Sequence, residues 1–331
     1  MLGERASHHL CEATMGNTVL VTGVARYVGA RLATALAADP GIDRVIGVDT
    51  VPPTAFARSG GAQLEFRGID LRSSDLAKVI GTADIDTVVH MTLLSGPARS
   101  RSALKEHNVI GTMQLLAACQ RSATVSRVVV RSTTAVYGSS PADPAVFTEE
   151  TEAAEPPATG YAKDAVEVEG HVRGFARRRP DVAVCTLRFA NFMGPGVDSP
   201  LTRFFAQPVL PTVLGFDPRL QFVHEDDGVE VLRRAAGEDH PGTFNVAGEG
   251  VLMLSQCLRR AGRVAVPLPS PTFRVLGELA RASGLLDFSP EHQALLTYGR
   301  AVDPSRLWAE LGWTPTFSTA DAFADFLARH R

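Results

Sequence analysis

The chain has 331 residues and 45% hydrophobic content, enough for one large α/β domain or a main domain with a smaller lobe. Its formal net charge of −3 and lack of a basic stripe argue against a nucleic-acid partner. No apolar run is long enough to span a bilayer.

Residues 1–16 read as a flexible N-terminal extension, and His8 and His9 in it are read as structural, not metal-binding. The first strong pattern is VLVTGVARYVG at 19–29, followed by ARLATALAA at 30–38. An apolar run, a glycine turn and a run of helix formers predict strand, tight turn and helix, which aims helix-terminal N–H groups at a phosphate. A second apolar run, RVIGVD at 44–49, ends in Asp49, where an acid holds a ribose 2′-hydroxyl and repels a 2′-phosphate. The unit predicts a dinucleotide site and favours NAD over NADP.

Further strand-like stretches follow at 63–71 (QLEFRGIDL), 86–92 (DTVVHMT), 127–138 (RVVVRSTTAVYG), 182–189 and 242–248 (GTFNVAG), alternating with helical ones. That order predicts a doubly wound parallel sheet of Rossmann type, with a smaller C-terminal substrate lobe. The expected division is a dinucleotide-binding domain at 17–190, with 221–248 returning to it, and a lobe from 191–220 and 249–331. Helices of that lobe are expected at 252–262 and 271–286. Asp70 reads by itself as a helix N-cap acid. Cys11, Cys119, Cys185 and Cys257 match no metal spacing and read as reduced thiols of a cytoplasmic protein. The HEDD run at 224–227 reads as a strand end before an acidic helix start, and no metal site is expected.

These motifs resemble the extended branch of the short-chain dehydrogenase/reductases, the NAD-dependent epimerases and dehydratases of nucleotide sugars. Thr22, Gly23 and Gly29 match the TGxxGxxG turn, while Arg26 replaces its middle glycine; against the shorter TGxxxGxG pattern the missing glycine falls on Tyr27. If that position needs positive φ, a side chain there costs about 1–2 kcal/mol. Arg26 either reaches a pyrophosphate oxygen, meets a 2′-phosphate, or turns to solvent. The resemblance gives a cofactor-binding set of Gly23, Arg26, Tyr27, Val28, Gly29, Asp49, Asp70, Leu71 and Tyr161, with Asp70 and Leu71 at the adenine ring. Asn108, within NxxGTxxLL, is expected to satisfy a neighbouring strand, and His90 to be structural.

The stretch STTAVYG resembles the family's SSxxVYG and places the catalytic hydroxyl at Thr133. Thr134 and Ala135 stand where sugar dehydratases carry an acidic pair, which disfavours dehydration. GYAKDAVEVE at 160–169 matches YxxxK at Tyr161 and matches the glutamate at Glu169, but the lysine position is Ala165. Lys163 cannot stand in: on a helix i+4 lies roughly 40° from Tyr161 and i+2 roughly 200° away. A tyrosine acid/base needs a neighbouring positive charge, so the chain must find one elsewhere or do without.

The segment LRFANFMGPG resembles the family's LRxxNxxGPG, so Asn191 is expected to contact substrate and Arg188 to be a structural charge. Phe189 and Phe192 either wall the nicotinamide pocket or pack the core. RLQFVHEDD at 219–227 is similar to RDFxHVxD, with Leu220 at the arginine position and Arg219, the second expected substrate contact, one place early. The ending, VDPSRL with LGWTP, matches the same branch. The resemblance implies an oxidoreductase or isomerase acting on a secondary alcohol with NAD, and a small-molecule substrate. It also implies a homodimer paired through the helices near 103–119 and 161–178. A non-catalytic dinucleotide-binding sensor or scaffold is the alternative that Arg26 and Ala165 together raise.

Overall fold

In a computed structural model, residues 17–53, 63–93, 101–273, 275 and 289–329 are described. The expected N-terminal extension with Cys11, and most of the helix expected at 271–286, lie outside them.

Strands β1 (Thr18–Thr22), β2 (Arg44–Asp49), β3 (Gln63–Gly68), β4 (Thr87–His90), β5 (Arg127–Thr133) and β6 (Ala183–Phe189) build most of the central sheet. After β7 (Asn191–Met193), β8 (Val209–Val213), β9 (Arg219–Leu220) and β10 (Phe222–His224), strand β11 (Gly242–Val246) returns to it. The order is β11-β6-β5-β4-β1-β2-β3 and every pairing is parallel. Chain order reverses between β1 and β4, which opens a crevice at the carboxyl ends of these two strands.

Strands buried on both faces need apolar residues on both, and the alternation sorts them. Leu20, Ile46, Val88, Val128 and Val130 face one way, into a cluster with Leu115, Ala165, Val168 and Phe175. These come from α4 (Gly111–Arg121) and α5 (Gly160–Arg178), which follow α1 (Tyr27–Ala37), α2 (Asp75–Thr82) and α3 (Arg101–Lys105). Val19, Val21, Val45, Val89 and Val129 face the other way, against Leu32 and Leu36 of α1 and Val231 and Leu232 of α7 (Glu225–Gly237). A third cluster, with Phe205, Phe222, Phe323 and Phe326, fills the C-terminal lobe. Between α3 and α4 a π-helical turn, Glu106–Ile110, carries Asn108, whose amide donates to Asp164 of α5 at 3.1 Å. The neighbour it satisfies is a helix, where a strand was expected.

No helix among the described residues is long and apolar enough to cross a membrane.

Candidate active site

The turn after β1 is shaped by two glycines. Gly23 has φ 76°, and a Cβ there would press on Thr92 Oγ1 at 3.0 Å. A Cβ on Gly29 would lie 2.3 Å from the Gly23 carbonyl oxygen, so the first turn of α1 can pass this close only with glycine. Arg26 needs no such freedom. Its backbone is extended (φ −89°, ψ 149°), so the missing central glycine brings no backbone strain.

Arg26 occupies the N-cap of α1 with no side-chain cap, and no acid lies in the first turn. The first helical bond runs from Ala30 N to Arg26 O (2.8 Å), which leaves the N–H groups of Tyr27, Val28 and Gly29 without helical partners. An uncapped helix end with a cation beside it favours an anion. At the tip of β2, Asp49 accepts from Ala25 N (2.9 Å) and Thr50 N (2.7 Å), which fixes the carboxylate against the turn. Glycine cradle, open helix end and half-buried carboxylate together fit a dinucleotide.

Other expected cofactor contacts are placed less simply. Asp70 accepts from the Arg72 backbone (2.9 Å) and pairs with its guanidinium (2.6 Å), whose hydrogen bond holds the carboxyl down at about 2. It is not a helix N-cap, since α2 starts at Asp75 behind Ser74. Leu71 sends its side chain into the core and meets Gly111. Tyr27 turns away from the glycine turn; its hydroxyl donates to Glu225 (2.6 Å), and its ring leaves no room for a side chain at Gly196. His107, which the sequence reading passed over, is half-buried within electrostatic reach of Asp70, Asp49 and Arg26.

Behind the crevice, the buried His90 bridges Thr22 Oγ1 (2.9 Å) and Thr112 Oγ1 (2.8 Å). Burial without a carboxylate partner pulls its imidazole from 6.5 down to about 3. The unfolded chain therefore takes up this proton first, so the His90 contribution is complete above pH 6.5 and is lost as pH falls towards about 3. His292, lowered to about 4 by burial, acts in the same direction. A His90→Gln variant is expected to show a shallower fall in melting temperature between neutral and acid pH than the wild type. Equal slopes would dismiss this.

At the carboxyl end of β5, Thr133 caps the short 3₁₀ turn Thr134–Tyr137 by accepting from Ala135 N (3.2 Å), which leaves its hydroxyl proton to donate. Tyr161 opens α5 directly after Gly160, whose φ of 70° and contact with the Glu291 carboxylate exclude any side chain. Ala165 is fully buried in the core, while Lys163 is exposed, as helical spacing requires.

Two guanidiniums come within electrostatic reach of the phenol instead. Arg131, two residues before Thr133 on β5, is lowered by burial and sustained by Tyr161. Arg300, from the C-terminal lobe, donates to Gly138 O (2.8 Å), Ser139 Oγ (3.3 Å) and Thr134 Oγ1 (3.3 Å). Burial lowers it to about 10, and Tyr161 partly opposes the shift. Neither arginine forms an ion pair among the described residues. No pattern around either position marked it beforehand: Arg131 interrupts an apolar strand, and Arg300 follows Tyr161 by more than a hundred positions.

Of the two expected substrate contacts, Asn191 begins β7 half-buried, and its amide has no hydrogen-bond partner among the described residues. Arg219 is exposed on β9; its carbonyl accepts from Arg300 N (3.0 Å), and both residues line a cavity of about 430 Å³ with Phe216 and Tyr298. Leu220, in the arginine position, is buried in the lobe core.

Several motif residues hold the frame. Arg188 pairs with the buried Glu169 (2.7 Å) and donates to Tyr137 Oη (2.8 Å), which donates to Asn245 (2.9 Å). Ser132 donates to the same Glu169 (2.6 Å). Phe189 and Phe192 stack at 5.0 Å within the core. His224 caps α7, stacks on Phe317 and meets Asp325 (3.0 Å). Asp227 accepts from Thr316 N and Phe317 N.

The profile of the NAD dependent epimerase/dehydratase family matches residues 19–247. An uncharacterized protein of Mycobacterium tuberculosis (strain ATCC 25618 / H37Rv) is 46% identical over 310 residues, 93% of this chain and 82% of that one. The UDP-glucose 4-epimerase of Mycolicibacterium smegmatis is 27% identical over 326 residues, 92% of this chain and 96% of its own. Among solved structures, UDP-glucuronic acid 4-epimerase from Bacillus cereus in complex with NAD superposes with a TM-score of 0.72. That match has 18% identity over 95% of this chain and 98% of that one. The parallel sheet, its glycine turn and a family match over most of the chain agree: this protein belongs to the NAD-dependent epimerase/dehydratase family, among the extended short-chain dehydrogenase/reductases.

Proposed function

We propose that the chain binds NAD across the carboxyl ends of β1, β2 and β4 and catalyses hydride transfer at a secondary alcohol of a nucleotide sugar, as an epimerase does. Bound NAD supplies the hydride acceptor. Tyr161 takes the hydroxyl proton and returns it, Thr133 donates to the same oxygen, and the free amide of Asn191 orients the substrate. Arg131 and Arg300 lend the phenol the positive charge that position 165 does not provide. The observation that carries this reading is the gathering of hydroxyl and cations at the end of β5, where Arg131 stands two residues before Thr133 and Arg300 donates to Thr134 Oγ1 at 3.3 Å, neither guanidinium joining an ion pair among the described residues. Gly23, Gly29 and the open end of α1 receive the pyrophosphate with Arg26. Asp49 receives the adenosine ribose, which suits NAD better than NADP.

Two copies pair through α4 and α5 in this reading. Ile110 and Met113, three residues apart on the outer side of that helical run, are 41% and 42% exposed.

Incubation with NAD and a panel of UDP- and dTDP-sugars tests the proposal, with reduced nicotinamide followed by absorbance and epimers by NMR. At least one sugar nucleotide should reduce bound cofactor or emerge epimerised; silence across the panel with NAD bound would overturn hydride transfer. The second reading, a dinucleotide sensor or scaffold, draws on the sealed alanine at 165, and it predicts thermal stabilisation by NAD without any reduction.

A further inference from the structure

Arg131 is a cation with no ion-pair partner among the described residues. On β5 successive side chains alternate, so Arg131 shares the Thr133 face and opposes Val130 and Ser132. Its guanidinium lies over the Phe192 ring, 5.4 Å from the centroid. Its Nε is shut off from water with no hydrogen-bond partner, and it joins no ion pair among the described residues. Tyr161 and Arg26 are within its electrostatic reach. Val130, its neighbour on β5, pairs with His90, and His90 with Thr22, so the register sets Arg131 level with Met91 and Gly23, at the carboxyl ends of β4 and β1 that border the crevice.

Desolvating a guanidinium without an acid is costly, and an apolar residue would serve the fold better. A ligand bearing acceptor oxygens between those two ends would offset the cost. The planar fork of arginine suits a phosphate or a pair of ribose hydroxyls, taken two at a time.

We propose that Arg131 grips the nicotinamide half of the dinucleotide, through its phosphate or ribose oxygens. The inference rests on the reading of the crevice as an NAD site, and it concerns binding alone.

Calorimetric titration of NAD and of AMP into the wild type, Arg131→Met and Arg131→Lys tests it, together with the melting temperature of each unliganded protein. Arg131→Met should weaken NAD binding by about 10- to 100-fold. AMP, which lacks the nicotinamide half, should bind as before, and Arg131→Lys should recover part of the loss. Unliganded Arg131→Met should melt at or above the wild-type temperature, since it exchanges a half-buried cation, without an ion pair among the described residues, for an apolar chain of similar length. NAD affinity unchanged in Arg131→Met would overturn the inference and leave the proposed function standing. An equal loss for AMP, or a lowered melting temperature, would also overturn it, by marking Arg131 as structural. Wild-type protein that binds AMP but not NAD would remove both.

Discussion

Replacing Tyr161 with phenylalanine is expected to lower turnover by about 10²- to 10⁴-fold while leaving NAD affinity close to that of the wild type. The substitution removes one oxygen from a partly buried ring that otherwise packs against the core beside α5, so fold and crevice should persist. The size of the effect follows from the proton. Hydride transfer to or from a secondary alcohol carbon leaves charge on its oxygen, and Thr133 can share a hydrogen bond with that oxygen but is a poor acceptor of its proton. A comparison of kcat and KM decides the role. Loss confined to kcat makes Tyr161 the acid/base, whereas loss confined to KM makes it a substrate contact. No loss at all would remove Tyr161 from the mechanism.

Arg188→Met is expected to destabilise the fold by about 3–5 kcal/mol, read from urea unfolding. Glu169 is only 4% exposed, and Arg188 reaches both its oxygens, at 3.0 and 2.7 Å. Without Arg188 the carboxylate keeps Ser132 and a distant Arg173 at 3.5 Å, and that guanidinium is more than half exposed. Such partners do not compensate a buried charge. Tyr137, clamped between Arg188 and Asn245, would lose its donor as well. The double variant Arg188→Met/Glu169→Leu removes both charges and should recover much of the loss, because the penalty lies in the unpaired carboxylate. A double variant as unstable as the single one would place the cost in packing instead.

Much of this was legible in the sequence because it depends on neighbours along the chain. Strand, glycine turn, helix and acid fall within 19–49, and the alternation of apolar residues sorts the two faces of the sheet without long-range information. Helical spacing alone excluded Lys163, and its exposed position agrees. What escaped notice depends on chain segments meeting in space. Arg300 approaches Thr134 from 166 positions away, and Arg31 reaches Glu225 from 194. Arg131 was visible as a letter, yet only its burial without an acid sets it apart from an ordinary surface arginine. The anticipated strain at Arg26 failed for the opposite reason. A motif position was read as a backbone requirement, while the actual dihedral is one that any residue adopts.

In the proposed mode of binding Asp49 meets the ribose, and it also fastens the turn, because one of its oxygens receives the Ala25 N–H. Neutralising this acid would remove the repulsion it offers a 2′-phosphate. In this chain that substitution would also unpin the loop on which every pyrophosphate contact depends. In that mode of binding, preference between the two coenzymes and the rigidity of their cradle rest on a single carboxylate, so a switch of coenzyme would need a second change that re-anchors Ala25.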